Sequence, residues 1–421
     1  MQGAVNDPAR QINLECTLPR FSYKDAHYAN GHINIMTPMG TLLYDLAVTK
    51  LSQEGSNMDV QVTGSAYDNR LTISLLWDDH ATDRMSGKVT AMANFETSFD
   101  GRQMAHVDIA PSKMTIKNAE WDVEQSHITY AAKHVDIQRF AIRHGDQHLL
   151  LNGTASESNA DSLQVKLQKV DVDYVLQLVG FDAVSFSGLA TGHATLSGIF
   201  GRLQANARLK VDQFKFENGR MGVLDARVDW NAEQQQIDIH ATADDGPDAM
   251  TYIDGYVTPE RDSINLGIRA EGTHLDFARS FTSSFCNHVE GHALGEVRLK
   301  GPLSEINLTG QLVLNGRAHV TALGCDYELR SDTLRLIPDE IEFLHCPIYD
   351  VHGHQGILSG GIHHKHLTKL TFDIYVDADN LLAYDFRDFG DDTFYGTVFA
   401  TGEVGIHGRE SSVVIEADVT P

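Results

Sequence analysis

The chain has 421 residues, of which 42% are hydrophobic and 22% are charged, and its formal net charge is −25. The hydrophobic share excludes a chain that is disordered by composition. The negative charge argues against nucleic acid, whose phosphates need Lys and Arg, and against docking on anionic lipid headgroups through charge; a large soluble surface explains it most simply. We expect no transmembrane helix in this segment, because no run of 18 apolar residues occurs.

Alternation of apolar and polar residues with a period of two runs through the chain. This pattern predicts strands with one apolar and one wet face, and the lack of a βαβ rhythm favours antiparallel pairing. Clear examples are Leu71, Ile73 and Leu75 near the start and 413–419 at the end. In chain order, the residues expected to line the apolar face are Leu209, Val211, Leu224, Val228, Trp230, Ile264, Leu266, Ile268, Ile306, Leu308, Leu312, Leu314, Leu370, Phe372, Ile374 and Val376. The sequence leaves open whether this face is a filled core or an open groove.

A glycine-framed strand occurs three times, as GLATGHATLSG (188–198), GHALGEVRLKG (291–301) and GTVFATGEVGIHG (396–408). Each copy has two glycines with five residues between them, and the spacings from Gly192 to Gly295 and from Gly295 to Gly402 are 103 and 107 residues. A fixed period of this size indicates an array of repeats. We therefore expect Gly198, Gly301 and Gly408 to hold equivalent backbone positions.

Three short amphipathic segments precede the glycine-framed strands and are the helix candidates of the chain. They cover 173–181, 275–285 and 381–389, about two turns each. The predicted fold class is therefore all-β: an elongated, curved antiparallel sheet with a few short helices. Its predicted segments are 1–130, 131–272 with glycine strand 188–198, 273–378 with glycine strand 291–301, and 379–421, the start of a further repeat.

No pattern in the sequence predicts catalysis or a cofactor. Nucleotide-binding, metalloprotease and nucleophile-elbow motifs do not occur, so an enzyme is not expected. The residues close enough in sequence for a zinc site are His345, Cys346, His352, His354, His363, His364 and His366. His352 and His354 are, however, expected on one strand face and HHKH in a solvated hairpin turn. A Cys325–Cys346 disulfide is open as an alternative to buried free thiols. The prediction is no metal and no cofactor.

The glycine-framed strands and the segment DADNLLAYDFRDFGDDTFYGTVFATGEVGIHG resemble the TamB (translocation and assembly module) family of the AsmA-like group, especially its Bacteroidetes-type members. The resemblance covers roughly residues 130–421. It implies a β-taco, a repeating β-groove whose concave face is apolar. It also implies a location in the periplasm, a full-length protein anchored in the inner membrane, and a partner of the Omp85 class in the outer membrane.

The function that this resemblance implies is a segment of a bridge between the two membranes. Phospholipid acyl chains would lie in the apolar groove, or the protein would support the assembly of outer-membrane proteins. Two other classes are open. One is a structural or adhesin-type β-solenoid surface protein without a lipid conduit, and the other is a carbohydrate-active β-solenoid enzyme, which would need paired acids in a cleft.

Overall fold

The computed structural model describes residues 2–6, 11–24, 26–52, 56–99, 101–174, 185–283, 286–303, 305–365, 368–387, 395–409 and 412–420. These residues fall into two compact units. Unit 1 comprises 1–170 and 191–205, and unit 2 comprises 171–190 and 206–421. The segments predicted from the repeat have their boundaries after residues 130, 272 and 378. They follow the period of the sequence and do not correspond to the two units.

Unit 1 is built from short strands joined mostly by tight turns, with one 3₁₀ turn at Pro38–Gly40. Its strands are β1 (Gln2–Asn6), β2 (Gln11–Tyr23), β3 (Ala26–Met36), β4 (Leu42–Leu51), β5 (Met58–Tyr67), β6 (Arg70–Asp78), β7 (Ser86–Thr97), β8 (Gln103–Ile109), β9 (Ser112–Ile116), β10 (Ala119–Val123), β11 (Ser126–Ala131), β12 (His134–His144), β13 (Gln147–Ala155) and β14 (Ser162–Asp171). Strand β15 (Phe186–Ser197) belongs to unit 2 up to Ala190 and to unit 1 from Thr191.

Unit 2 continues with longer strands and two further 3₁₀ turns, Pro259–Arg261 and Asp276–Ala278, the second followed by a one-turn α-helix, Arg279–Thr282. The strands are β16 (Gln204–Phe216), β17 (Gly219–Asn231), β18 (Gln236–Asp244), β19 (Met250–Thr258), β20 (Ser263–His274), β21 (Cys286–Gly301), β22 (Asn307–Val320), β23 (Cys325–Ile337), β24 (Glu340–Asp350), β25 (Gln355–Lys365), β26 (Thr368–Phe386), β27 (Gly396–Arg409) and β28 (Ser412–Thr420).

Strand pairing confirms the predicted all-β, antiparallel class. In unit 2 each strand from β16 to β28 pairs antiparallel with the next one along the chain. From β1 to β14, unit 1 follows the same order except between β7 and β12, where β8 pairs with β11 and the hairpin of β9 and β10 pairs with β7 and β12. Strand β7 pairs with both β8 and β9, since Pro111 between them lacks the N–H that the ladder needs.

The repeat is visible as a residue of positive φ in the strand before each glycine-framed strand, which forms a β-bulge at Gly272 and Asn380. Lys169, Gly272 and Asn380 all have a positive φ, of 49°, 82° and 51°, and lie 23, 23 and 22 residues before Gly192, Gly295 and Gly402. The N–H groups of Lys169 and Asn380 are bound alike, by the hydroxyls of Thr191 at 3.1 Å and Thr401 at 3.0 Å. The repeat is therefore present in the backbone geometry as well as in the amino-acid sequence.

A small buried side chain marks the same place in each repeat. Ala190, Ala293 and Ala400, each two residues before the first framing glycine, are only 2–3% exposed. In the second and third repeats, Gly295 and Gly402 pair with buried alanines, Ala270 and Ala378. Small residues on facing strands let the apolar side chains around them pack closely.

The expectation for the second framing glycines is only partly met. Gly301 and Gly408 are equivalent: both lie near the end of a strand, with φ of 135° and 151°, and pair with Ile264 and Phe372. Gly198 follows the end of β15, has φ of 59°, and donates its N–H to the Ser158 carbonyl. Its turn packs against the β13–β14 turn, which gives it a left-handed conformation that the other two lack.

The three helix predictions have different outcomes. Within 275–285, Asp276–Ala278 and Arg279–Thr282 are helical, as predicted. The segment 381–389 was predicted wrongly, because β26 continues through it to Phe386; the bulge at Asn380 shifts the alternation of faces there and produces a pattern that imitates a helix. Of 173–181, residues 173–174 are helical and the rest lies outside the described residues.

Gly64 is expected to be indispensable for the packing of the apolar side of unit 1. The Tyr44 side chain crosses over Gly64 and donates its hydroxyl to the Thr72 carbonyl at 2.8 Å, and a Cβ at Gly64 would overlap both groups. Gly64→Ala should therefore lower the free energy of unfolding by about 2–4 kcal/mol. Urea unfolding measures this loss. Gly267→Ala is the matched control, because its nearest atom is the Asp254 carbonyl oxygen at 3.6 Å; equal losses in both variants would contradict the explanation.

Candidate apolar groove

Two rows of cross-strand neighbours on one face of unit 2 form the candidate site. Each row takes one residue from every strand between β16 and β28. The first row is Leu209, Ala226, Ala241, Ile253, Ile268, Val297, Gly310, Leu336, Ile341, Ile362, Phe372, Gly408 and Val413. The second row is Val211, Leu224, Ala243, Thr251, Ala270, Gly295, Leu312, Leu334, Phe343, Gly360, Ile374, Ile406 and Ile415.

Neither row contains a charged residue, and Thr251 is the one polar side chain in them. Its hydroxyl is paired with that of Thr273 at 2.6 Å, and both threonines are buried. A charge in either row would lose its hydration without a partner. The two rows therefore form an uninterrupted apolar band across thirteen strands.

The structure brings the predicted face residues together on this side of the sheet. Seven lie in the two rows, and Val228, Leu266 and Leu308 lie in a third row beside them. Trp230 and Ile264 belong to the next row. Leu314, Leu370 and Val376 lie two residues along their strands from members of the rows, and Ile306 directly precedes β22.

Burial separates these residues into two groups. Val211, Ile264, Ile306 and Phe372 are 3–7% exposed. The other twelve of the sixteen are half-buried, and none is exposed. Residues of a filled core would be nearly all inaccessible, and residues of an ordinary surface would be open. Most of this face is thus sheltered but still reached by solvent.

At one end of the strands, the sheet bends toward its apolar side. The Tyr327 hydroxyl of β23 donates to the Leu382 carbonyl of β26 at 2.6 Å, across two intervening strands. Near the start of unit 2, the Phe277 ring lies 5.7 Å from that of Phe216. Three small apolar clusters form at this end, around Ala190, Ala293 and Ala378. Because contacts between non-neighbouring strands occur on this side, the apolar face is the inner face of the bend.

The opposite face is polar. Between the two apolar rows, the outward positions include Arg335, whose guanidinium binds Glu342 at 2.9 Å. Asp373 on the same face pairs with His407, and Tyr375 is 50% exposed. Along β26, Leu370, Phe372, Ile374 and Val376 are buried or half-buried, whereas the alternating residues Thr371, Tyr375 and Asp377 are exposed.

A depression of about 710 Å³ lies over Gly295 and Gly310, where two neighbouring strands lack side chains. Most of its lining side chains, including Glu296, Gln311 and Arg335, come from the polar face. We therefore assign it to the outer surface, separate from the apolar band.

Unit 1 has an apolar face of the same construction. Leu71, Ile73 and Leu75 share it, as predicted. One of its rows runs Leu42, Ala66, Leu71, Ala93, Val107, Ile128, Ile137, Gly153 and Leu163. Leu75 remains 39% exposed, so this face too is incompletely covered. The groove-like pattern therefore extends to residues before 130, outside the range of the sequence resemblance.

All four cysteines are buried and free. Burial raises the pKa of Cys286 to about 12 and that of Cys325 to about 11, which keeps both as unreactive thiols at neutral pH. The structure gives no disulfide between Cys325 and Cys346. These side chains act as small apolar groups.

Two expectations for the histidines were wrong. His363 and His364 lie in β25 rather than in a hairpin turn, and His364 is buried, because polar residues continue the strand to Lys365; His366 lies outside the described residues. His352 and His354 lie in the connection between β24 and β25 rather than on a strand. Among the described residues, no group of three or more His, Cys, Asp or Glu side chains is arranged to hold a metal ion.

Comparison of the chain with family models, curated proteins and solved structures found no match. None of the described helices is long and apolar enough to cross a membrane. The function must therefore be argued from the apolar face itself.

Proposed function

We propose that this chain is a segment of a TamB-like periplasmic protein whose apolar groove shelters phospholipid acyl chains between the inner and outer membranes. The observation that carries the proposal is the apolar band: two rows without a charge, thirteen residues long, on the inner face of a bent sheet. The inner-membrane anchor and the Omp85-class partner in the outer membrane belong to the same proposal.

The mechanism is partition of the acyl chain into the sheltered face. Each CH₂ group removed from water contributes roughly 0.8 kcal/mol, which makes free transfer of a long acyl chain through water prohibitively slow. A band of similar side chains offers many nearly equivalent positions, so a chain can slide without a deep energy minimum. Small residues such as Ala226, Ala241 and Gly310 leave space above the band, and larger ones such as Ile253 and Ile268 fill less of it than aromatics would.

Half-burial of the face supports this function over a purely structural role. A surface protein without a conduit has no need to leave twelve of sixteen apolar side chains partly accessible to solvent. Sequential antiparallel pairing also differs from the stacked parallel ladders of a β-helix. Support for outer-membrane protein assembly is compatible with the same groove, since an extended apolar strand could lie where an acyl chain does.

Native mass spectrometry of the purified protein, followed by solvent extraction, tests the proposal. We expect co-purifying phospholipid that is removed by extraction. A variant with charges in the band, Ile253→Glu with Ile268→Glu, should retain far less lipid than one with the same change in net charge on the outer face, Thr371→Glu with Tyr375→Glu at two exposed positions. Lipid-free protein from lipid-containing preparations, or equal retention by both variants, would contradict the conduit.

A further inference from the structure

Exposed large apolar side chains are concentrated at one end of the strands of unit 1. Met39 is 101% exposed, Phe99 111%, Tyr130 52% and Phe200 38%. Met39, Phe99 and Phe200 lie in the turns β3–β4, β7–β8 and β15–β16, and Tyr130 lies just before the β11–β12 turn. In a sequential antiparallel sheet, turns that follow every second strand lie at the same end. We call these four residues, with Phe95, the aromatic rim.

Contacts between the turns confirm that they are neighbours. The N–H of Phe95 binds the Asn69 carbonyl of the β5–β6 turn at 2.7 Å. The N–H of Phe200 binds the Ser156 carbonyl at the β13–β14 turn at 3.1 Å, and Lys133 of the β11–β12 turn pairs with Glu157 at 2.5 Å. Turns two strands apart are separated by roughly 10 Å, so the rim residues follow one another along the edge.

The other end of these strands is different. Its turns carry Asp79, His80 and Arg84 between β6 and β7, and Lys117 and Asn118 between β9 and β10. Phe21 and Tyr23, beside the β2–β3 turn, are its exposed large apolar side chains among the described residues. The aromatic rim is therefore a property of one edge and not of the whole surface of unit 1.

The rim continues the apolar face. Phe95 pairs with Ala105, which pairs with Tyr130, and this row lies next to the row of Ala93, Val107 and Ile128 in the groove face. Cationic side chains share the same turns: Arg102 and Arg202 are exposed, and Lys133 is exposed but pairs with Glu157. From the apolar face outward, the aromatic rim comes first and the cationic side chains follow. This is the same order as the acyl chains, glycerol region and phosphate of a phospholipid.

We propose that the aromatic rim is the open lip of the groove and holds phospholipids at the level of their glycerol and phosphate groups. This proposal rests on the proposed function, because it assigns the lip of the same groove. Tyr130 is of the amphipathic aromatic type that prefers the boundary between hydrocarbon and headgroups. The Phe and Met side chains of the rim offer apolar surface to the upper part of the acyl chains, and Arg side chains bind phosphate oxygens. The occupant is a phospholipid whose acyl chains lie on the face of Leu71, Ile73 and Leu75, with its headgroup at the rim.

Two photoreactive phosphatidylethanolamine probes test this placement on the full chain, one with a diazirine at the acyl terminus and one with a diazirine on the headgroup. Labelled residues are located by peptide mass spectrometry. The acyl probe should label the face around Leu75, and the headgroup probe should label the rim around Phe99 and Met39. The double variant Met39→Ser with Phe99→Ser should lower headgroup labelling roughly tenfold or more, and Tyr23→Ser, an exposed aromatic at the other end, should not.

The possible outcomes separate the two proposals. If the acyl probe labels the face but the headgroup probe labels the turns at Asp79–Arg84 and Lys117–Asn118, headgroups do not bind at the aromatic rim, although the groove still binds acyl chains. The same result follows if the Met39/Phe99 double variant and Tyr23→Ser label like the parent protein. Absence of acyl labelling overturns the conduit, and the lip with it. Because both rim side chains are fully exposed, their replacement should leave the melting temperature unchanged, which circular dichroism checks.

Discussion

Asp350→Ala is expected to destabilise unit 2 by about 3–5 kcal/mol. The Asp350 carboxylate has no exposed surface and accepts four hydrogen bonds. The N–H groups of His352 and His354 donate to Oδ1 at 2.8 and 2.9 Å, and the N–H of Leu382 donates to Oδ2 at 2.9 Å. The fourth bond joins Oδ2 to Nδ1 of His354 at 3.0 Å. Alanine would leave these donors unsatisfied at the end of the sheet where β24 and β26 meet.

Urea unfolding of the variant measures this loss, and Asp379→Ala is the control because Asp379 is exposed on β26. Burial by itself raises the pKa of Asp350, but the N–H groups of Leu382, His354 and His352 outweigh it and hold the pKa below its ordinary value. The carboxylate therefore stabilises the fold above the pKa of the unfolded chain, and this contribution is lost as the pH falls through the folded pKa. The difference between parent and variant should accordingly shrink in acid. A difference that is independent of pH would contradict the assigned role of the charge.

The strands were predictable because the period of two is a local property of the sequence. Once Leu370, Phe372, Ile374 and Val376 alternate with polar residues, pleat geometry places them on one face. Sequential antiparallel order followed from short turns and the absence of helices. The same local rule explains why the sixteen predicted residues lie on the apolar side of the sheet, seven of them in the two rows: each of them continues an alternation of at least three residues.

The repeated residues of positive φ were not predictable, since they depend on pairing with the next strand. Lys169 and Asn380 adopt a positive φ although neither is glycine, and each is held by a threonine more than twenty residues away. The Asn380 bulge also explains the wrong helix at 381–389. The buried carboxylate of Asp350 was missed for the same reason, because its donors come from the β24–β25 connection and from Leu382 of β26, 32 residues further along the chain.

The aromatic rim left a signal in the sequence that alternation alone does not show. Met39, Phe99 and Phe200 are apolar residues inside turn motifs, TPMGT, SFDG and GIFG, where polar residues are usual. Apolar residues in turns that are separated by an even number of strands of a meander point to one edge of the sheet. That these residues lie at the same end of the strands can be seen only once the strands and the turns between them are assigned.

Phe372→Asp and Ile374→Asp are expected to have opposite effects, although the two residues are neighbours on the same face of β26. Phe372 is 5% exposed, and an unpaired carboxylate there should cost several kcal/mol and unfold unit 2. Ile374 is half-buried between Gly360 and Ile406, so water can hydrate a carboxylate in its place. Ile374→Asp should therefore fold but lose acyl-probe labelling of the second row, since an acyl chain would have to pass a hydrated charge.

The measurements are thermal unfolding and labelling with the acyl-terminal diazirine lipid. Tyr375→Asp, at an exposed position on the outer face of the same strand, is the control and should change neither result. If Ile374→Asp unfolds as completely as Phe372→Asp and the parent protein takes no label, the face is a filled core and the conduit is wrong. If Ile374→Asp folds and its labelling equals that of Tyr375→Asp, acyl chains do not pass along the second row. Only a sheltered but accessible apolar face would give an Ile374→Asp variant that folds and loses its labelling. A filled core could not hydrate the charge, and an ordinary surface would not bind the lipid.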